Sequence, residues 1–378
     1  MKYYLIAGEA SGDLHASNLM KQILIKDPDA DFRFWGGDLM QAVGGECVKH
    51  YRELAFMGFV EVIANLRTIL SNIKFCKKDI ASFDPDVVIL IDYPGFNLRI
   101  AEFVKNLDKK VIYYISPQIW AWKQNRVHKI KKVVDRMITI LPFEKDFYAR
   151  FDMKVDYVGH PLLDAIENRD LSSARNQALK EEFNLDEREL VLLMPGSRKQ
   201  EISAVLPTML HQRRNFPDHQ FVIAAAPGLD ESYFLSFLSQ IPKGEVPFRI
   251  IKDRTYDLLQ IAKAAMVTSG TATLETALFK VPEVICYKGS YISYQIAKRV
   301  IKVNYISLVN LIMDREVVRE LIQSDFNADL LRMELGKLLE DQSRRKDMIA
   351  SFEALIEKLG GGGASKKAAE IILSEINN

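Results

Sequence analysis

Cysteine is scarce: Cys47, Cys76 and Cys286 are three isolated residues in a chain of 378. An odd number without a CxxC pair excludes a disulfide framework and a zinc knuckle, and a reducing, cytoplasmic setting is expected. Long apolar runs are missing as well. No segment reaches the roughly 18–20 unbroken apolar residues that span a bilayer, so any membrane contact is expected to be peripheral. There is no excess of charge of either sign, since 51 Lys and Arg face 50 Asp and Glu. A surface built as a whole for nucleic acid is thereby excluded, and any electrostatic site must be local. HExxH and paired His–carboxylate spacings are absent. Asp-x-Asp occurs at residues 27–29, 29–31 and 84–86. The last of these precedes its strand and falls at the wrong end of a sheet, so no metal or other cofactor is expected.

What is present reads as an ordinary globular chain. Its 48% hydrophobic and 27% charged residues can build a core, and its length points to two domains rather than one. The opening MKYYLIAGEASGD has a short apolar run that turns polar without a cleavage pattern, which predicts a first strand rather than a signal peptide. Short apolar, β-branched or aromatic runs alternate with longer helical patterns, the signature of βαβ units around a parallel sheet. A first series occupies residues 3–7, 32–35, 87–91, 111–115, 137–141 and 155–158; a second occupies 190–194, 221–225, 248–251, 266–267 and 283–286. The fold class is therefore α/β, with two doubly wound, Rossmann-like domains in series. The expected domains are residues 1–165, residues 166–350, and a C-terminal helical segment, 351–378, around the four glycines at 360–363. Four glycines in a row cost a helix about 1 kcal/mol each, which predicts a turn or hinge there. The helix after it has apolar residues at helical spacing and should dock on the first domain or on a partner subunit.

In such sheets ligands sit beyond the carboxyl ends of the strands, so the residues that follow each run carry the chemistry. After the first run comes Gly8-Glu9-Ala10-Ser11-Gly12-Asp13, a turn where backbone can approach a ligand and a helix begins. Glu9, Ser11, Gly12 and Asp13 are candidates for a ligand-binding loop; alternatively Ser11 or Asp13 only caps the next helix. The turn is not GxGxxG, which weakens a dinucleotide reading. Asp92 ends the third run, where desolvation raises a carboxylate toward the pKa of a working base. It is equally placed to be tied down by N–H groups of the Pro94–Gly95 turn. After the fourth run, Trp120 and Trp122 stand beside Lys123, Arg126, His128, Lys129, Lys131 and Lys132. Trp120, Trp122, Lys131 and Lys132 are candidates for holding an anionic amphiphile or a membrane surface, against a plain basic helix face with the indoles packed beneath. Residues 59–78 carry many apolar side chains and end in Lys74, Lys77 and Lys78. They make either an acyl- or membrane-facing helix or an ordinary amphipathic one.

The second series offers Gly196, Ser197 and Arg198 at a strand–turn–helix junction suited to a diphosphate. A cation at a helix N-terminus opposes the dipole and needs a reason. Ser269, Gly270, Thr271 and Thr273 supply hydroxyls and a glycine for phosphate oxygens, and Glu275 is placed to take a ribose hydroxyl. Asn310, with Arg315, Glu316, Glu320 and Gln323, supplies groups that read a uracil or sugar, or else caps and surface pairs.

Taken together, GEASGD, IDYPGFN, SPQIWAW, LPFEK, VGHP, MPGSR with Glu201, SGTATLE and SLVNL, in that order from residue 8 to about 325, resemble the lipid-A-disaccharide synthase family. The resemblance implies a glycosyltransferase of two Rossmann-like domains (GT-B) with the active site in the cleft between them. It implies a hexosyltransferase that condenses UDP-2,3-diacylglucosamine with 2,3-diacylglucosamine 1-phosphate, inverting the anomeric carbon, without a metal. It further implies Asp92 as the catalytic carboxylate, Arg198 as the diphosphate-binding arginine, and Ser269, Gly270, Thr271, Thr273, Glu275 and Asn310 around the nucleotide. Tyr93 and Gly95 stand where the family motif has Ala and Asp, and Pro161 stands where relatives often have Thr. The expected partners are the two acylated sugar substrates and the inner-membrane surface, not nucleic acid. The tetraglycine is compatible with exchange of the C-terminal segment in a homodimer. Two readings compete with this one: another enzyme of the same fold, such as a UDP-N-acetylglucosamine epimerase or a peptidoglycan-type glycosyltransferase, and a non-catalytic nucleotide-binding module.

Overall fold

The computed structural model describes residues 1–54, 66–167, 169–226, 229–239, 248–290, 294–295, 299 and 303–376. They divide into two units, one made of the described residues up to Glu167 and from Leu359 to Ile376, the other of those from Arg169 to Lys358.

The first unit is built on β1 (Lys2–Ala7), β2 (Asp31–Gly36), β3 (Glu46–His50), β4 (Val87–Ile91), β5 (Lys110–Tyr114), β6 (Arg136–Thr139) and β7 (Asp156–Tyr157). The seven strands are all parallel and lie in the order 3-2-1-4-5-6-7. β4 is buried along its whole length, as are β1 and β5 apart from their first residues; with both faces of the sheet covered, these strands read as unbroken apolar runs rather than alternating ones. β3 escaped the sequence reading because ECVKH is a polar edge strand with no fully buried residue.

The second unit carries β8 (Glu189–Met194), β9 (His219–Ala225), β10 (Arg249–Lys252), β11 (Ala262–Thr268), β12 (Glu283–Tyr287) and β13 (Arg319–Ile322), in the order 10-9-8-11-12-13 and again parallel. β13 is the other strand that periodicity missed. Its RELI sequence is half-exposed at the sheet edge and reads like a piece of charged helix.

Each sheet reverses its direction of winding once, between β1 and β4 in the first unit and between β8 and β11 in the second. At such a point the connecting helices leave toward opposite faces and open a crevice at the carboxyl ends of the two strands. The Gly8 and Asp92 turns flank the first crevice, the Gly196 and Gly270 turns the second.

The chain's last described helix, Ala364–Ile376, belongs to the first unit and packs on the helix Ala10–Lys26. The preceding helix, Gln342–Leu359, runs unbroken past residue 351, and its residues up to Lys358 belong to the second unit. The C-terminal segment of the first unit therefore starts at Leu359, not at 351, because the helix cannot break until the glycines. Gly360, Gly361 and Gly363 have φ of +83°, +74° and +83°, which other residues adopt only under strain. Asp164 closes this turn: its carboxylate accepts hydrogen bonds from the backbone N–H groups of Gly363 (2.6 Å), Ala364 (3.1 Å) and Ser365 (2.9 Å). Glu375 at the far end of the same helix faces Lys110 (3.3 Å) and Arg136 (3.8 Å). Pro161 starts the helix Pro161–Glu167 that carries Asp164, a position where its fixed φ and missing N–H cost nothing.

Asp164→Ala removes the cap of three amides and is expected to cost about 2 kcal/mol of stability, with Asp164→Asn losing less. Chemical denaturation measures it, and unfolding midpoints equal to the parent's would show that the capping adds nothing.

Candidate active site

In the first unit the chain leaves β4 through two successive left-handed residues, Asp92 (φ 43°) and Tyr93 (φ 47°), before Pro94 opens the helix Pro94–Asn106. Non-glycine residues in this region cost on the order of 1–3 kcal/mol each, so something must hold them. The Asp92 carbonyl is the anchor: it accepts the Tyr113 hydroxyl at 2.5 Å and the Asn97 amide at 2.8 Å. The same Asn97 amide reaches the Ile91 carbonyl at 3.2 Å and the Ile6 carbonyl at 3.5 Å, tying the ends of β4 and β1 together. Tyr93 lies flat against Phe96, their centroids 5.4 Å apart, and its ring covers Gly8 so closely that a Cβ there would sit 2.5 Å from it. With its backbone occupied in this way, Asp92 presents its carboxylate at the rim of the crevice. Burial in surrounding protein, with the negative charge of Glu9 adding to it, pushes the Asp92 carboxyl up to about 7, opposed by a hydrogen bond from the backbone at Tyr93.

Two residues of the first turn, Gly12 and Asp13, are structural. The Asp13 carboxylate is buried and accepts from the amides of Gly37 (2.8 Å), Leu39 (3.1 Å) and Met40 (3.1 Å). It caps the helix Asp38–Val43 rather than lining an acceptor loop. Gly12 lets the helix Ala10–Lys26 close on β1, since a Cβ there would stand 3.2 Å from that of Ala7. Glu9 and Ser11 remain half-buried on the crevice side of the turn. Behind it, His15 and His160 meet edge to face with centroids 6.3 Å apart. Burial holds both imidazoles neutral, lowered to about 4 and about 3. His160 Nδ1 accepts from the Leu162 amide at 3.3 Å, which accounts for the histidine of the GHP motif as packing.

After β5, Ile115 is again left-handed (φ 66°), a strained setting for a β-branched residue. The two indoles that follow separate. Trp120 is buried (6% exposed) edge-on against Phe143 with centroids 4.9 Å apart, so its expected contact with lipid is corrected: it belongs to the core. Trp122 is 44% exposed, with the Lys123 ammonium 4.1 Å and the Arg126 guanidinium 5.8 Å from its centroid. Lys131 spends its ammonium on the Phe151 carbonyl (2.7 Å), and Lys132 is simply exposed. Lys123 and Arg126, not Lys131, are the cations that accompany the exposed indole. Glu144 of the LPFEK motif is buried beneath this turn and accepts from the amides of Ile140 (3.2 Å) and Leu141 (3.0 Å); burial pushes it up to about 7.

In the second unit, Gly196 (φ 105°), Ser197 and Arg198 form the turn from β8 into the helix Lys199–His211, with Arg198 at its N-cap. The Arg198 guanidinium, half-exposed, is paired with Glu201 at 3.0 Å, which offsets the unfavourable placement of a cation at this terminus. From β11 the chain passes Ser269 and Gly270 into the helix Thr271–Leu278. The Ser269 hydroxyl donates to the Ile306 carbonyl (3.0 Å) and that of Thr273 to the Gly270 carbonyl (2.9 Å). Both brace the turn, leaving Thr271 and the backbone amides at its lip. Glu275 accepts the Tyr256 hydroxyl at 2.8 Å, and burial raises its pKa.

Asn310 is fully committed to protein. Its amide nitrogen donates to the Val318 carbonyl (2.9 Å) and to Glu320 (3.0 Å), and its oxygen accepts from the amides of Val317 (2.8 Å) and Val318 (3.0 Å). A side chain with both hydrogens and both lone pairs used cannot also read a base, so its expected contact with the nucleotide is corrected to a brace for the loop before β13. Glu320 likewise accepts from the amides of Ile306 and Ser307. Tyr113, Arg126 and Tyr256 were not singled out from the sequence as site residues. A buried tyrosine hydroxyl that needs a partner was the available signal for Tyr113 and Tyr256.

These geometries belong to a known kind of chain. The family model described as lipid-A-disaccharide synthetase matches residues 3–374. The lipid-A-disaccharide synthase of Trichlorobacter lovleyi is 40% identical over 377 residues, covering 98% of this chain and 97% of the relative. That of Geobacter sulfurreducens is 40% identical over 374 residues, covering 98% and 96%. Among solved structures, the UDP-GlcNAc 2-epimerase of Neisseria meningitidis bound to UDP-GlcNAc matches with a TM-score of 0.68 at 12% identity, over 99% of this chain and 100% of that one. The calicheamicin glycosyltransferase CalG4 matches with a TM-score of 0.58 at 14% identity, over 100% and 98%. At such identities these structures speak for the fold alone, two parallel-sheet α/β domains shared by GT-B glycosyltransferases and epimerases. Sequence agreement along nearly the whole chain decides between those activities: the protein belongs to the lipid-A-disaccharide synthase family and is a glycosyltransferase of lipid A biosynthesis.

Proposed function

We propose that the chain joins UDP-2,3-diacylglucosamine to the 6-hydroxyl of 2,3-diacylglucosamine 1-phosphate, releasing UDP and the β-1,6-linked disaccharide 1-phosphate. The observation that carries this reading is the Asp92 carboxylate, fixed by its own backbone at the first crevice and raised by burial to about 7. A base with its pKa near the working pH combines a useful deprotonated fraction with proton affinity. Asp92 takes the proton of the acceptor hydroxyl as that oxygen bonds to the anomeric carbon from the face opposite the diphosphate. The bond from that carbon to the diphosphate breaks, and its electron pair leaves with UDP. Arg198 and the amides opening the helices Lys199–His211 and Thr271–Leu278 stabilise the charge that builds on the leaving group. A resident metal has no step in this scheme.

No described helix is long and apolar enough to cross a membrane. The proposed meeting place with acylated substrates is the membrane surface, approached through the helix Leu66–Phe83. Its exposed Leu66 and Leu70 lie one turn apart, with Lys74 a turn beyond. Residues 59–65 of the predicted apolar stretch lie outside the described residues.

The deciding assay mixes the protein with both acylated substrates in the presence of chelator and follows UDP and disaccharide by mass spectrometry. Product is expected despite the chelator. Epimerised UDP-sugar without acceptor, or UDP bound without any product, would displace this reading. Asp92→Asn is expected to lower kcat by about 10²–10⁴ with donor binding retained. Because the base must be deprotonated, kcat of the parent should rise with pH through a midpoint near 7 and then level off. A kcat independent of pH between about 5.5 and about 8.5 would remove Asp92 from that role.

A further inference from the structure

The cations that follow β5 are not equivalent, and the structure sorts them. Lys129 pairs with Glu102 at 2.7 Å, and Lys131 is held by the Phe151 carbonyl. Lys123 and Arg126 instead both lie over the ring of one exposed indole, Trp122. No described carboxylate lies within ion-pair distance of either, nor of Arg99 on the helix Pro94–Asn106. The three come from the turn after β5 and from the helix after β4, both at the carboxyl end of the first sheet. They are close enough to oppose one another: burial and the neighbouring charge of Arg99 hold the Arg126 guanidinium below its ordinary value, and burial and Arg126 do the same to Lys123. A half-buried guanidinium among like charges is an unfavourable arrangement unless an anion joins it. Arg126 also acts on the Tyr113 hydroxyl, the group that grips the Asp92 carbonyl. The uncompensated positive charge therefore stands beside the turn that carries the proposed base.

We infer that Arg126 and Lys123, seated on Trp122 with Arg99 beside them, form an anion subsite for the phosphate monoester of the acceptor sugar. The inference rests on the proposed reaction, in which the acceptor carries a phosphate on C1 and reacts at the hydroxyl on C6. The subsite holds one end of the hexose while Asp92 meets the other. A planar guanidinium gives a phosphate two parallel hydrogen bonds, and the ammonium adds a point charge. Trp122 contributes a flat aromatic surface that both cations lie over.

Arg126→Gln, Arg126→Lys and Lys123→Ala are compared with the parent on 2,3-diacylglucosamine 1-phosphate and on the same lipid without its phosphate. KM for the phosphorylated acceptor is expected to rise about tenfold or more in Arg126→Gln and less in Arg126→Lys, with donor KM unchanged. The parent's preference for the phosphorylated acceptor should shrink by the same factor. A preference that survives Arg126→Gln intact overturns the subsite. Glucosamine 1-phosphate binding, followed by NMR on the parent and on Arg126→Gln, tests the site without turnover: loss in the variant supports it, and equal binding overturns it. A parent inactive on both lipids that still binds glucosamine 1-phosphate through Arg126 would sink the proposed reaction and keep an anion site. Flotation with phosphatidylglycerol vesicles separates the two sources of a lipid phosphate. Vesicle binding equal in parent and variant is expected; vesicle binding lost with the acceptor preference unchanged assigns the cations to the membrane headgroup and overturns the proposal.

Discussion

Both units depend on one constraint of parallel sheets. Crossover connections keep a single hand, so a sheet covered on both faces must reverse its winding somewhere. The reversal falls between β1 and β4 in one unit and between β8 and β11 in the other. Helices diverge from those two strand pairs, and the groups proposed to react or to hold the leaving diphosphate stand where they part. Asp92, Glu9 and Tyr93 stand at the first reversal; Gly196, Arg198, Gly270 and Thr271 stand at the second.

What happens at the first reversal is a local trade between backbone strain and side-chain hydrogen bonds. Two left-handed residues in succession turn the carboxylate of Asp92 out of the sheet, and the Tyr113 hydroxyl and the Asn97 amide hold the carbonyl that results. The turn takes only the bond from the backbone at Tyr93 to the Asp92 carboxyl. The main chain of Asp92 satisfies the neighbours, so its side chain is left at the rim with a raised pKa. Asp13 shows the opposite outcome a few residues from Glu9. Its side chain satisfies three amides, and nothing is left for a ligand.

The central strands were legible from the sequence because burial on both faces turns them into continuous apolar runs, and the turns after them were legible because polar residues interrupt those runs abruptly. The edge strands β3 and β13 were not, since a half-exposed ECVKH or RELI carries no such contrast. Among site residues, the sequence carried no signal for roles taken up by the protein itself: Asp13 and Asn310 are buried polar groups whose bonds go to neighbouring backbone, and Trp120 packs on Phe143. Lys123 and Arg126 were named only as members of a basic run. Periodicity cannot tell which of five neighbouring cations lacks an acid, since that depends on carboxylates contributed by other helices.

The helix Ala364–Ile376 is joined to the first unit through Asp164, 200 residues earlier in the chain. At a synthesis rate of about 5–20 residues per second, roughly 10–40 s separate the two halves of that contact on the ribosome. During that interval the face of the helix Ala10–Lys26 that receives the final helix has no cover. The first unit to be translated is thus the last to be finished, and a truncated chain lacking its final helix would expose apolar surface on its N-terminal half rather than near the cut.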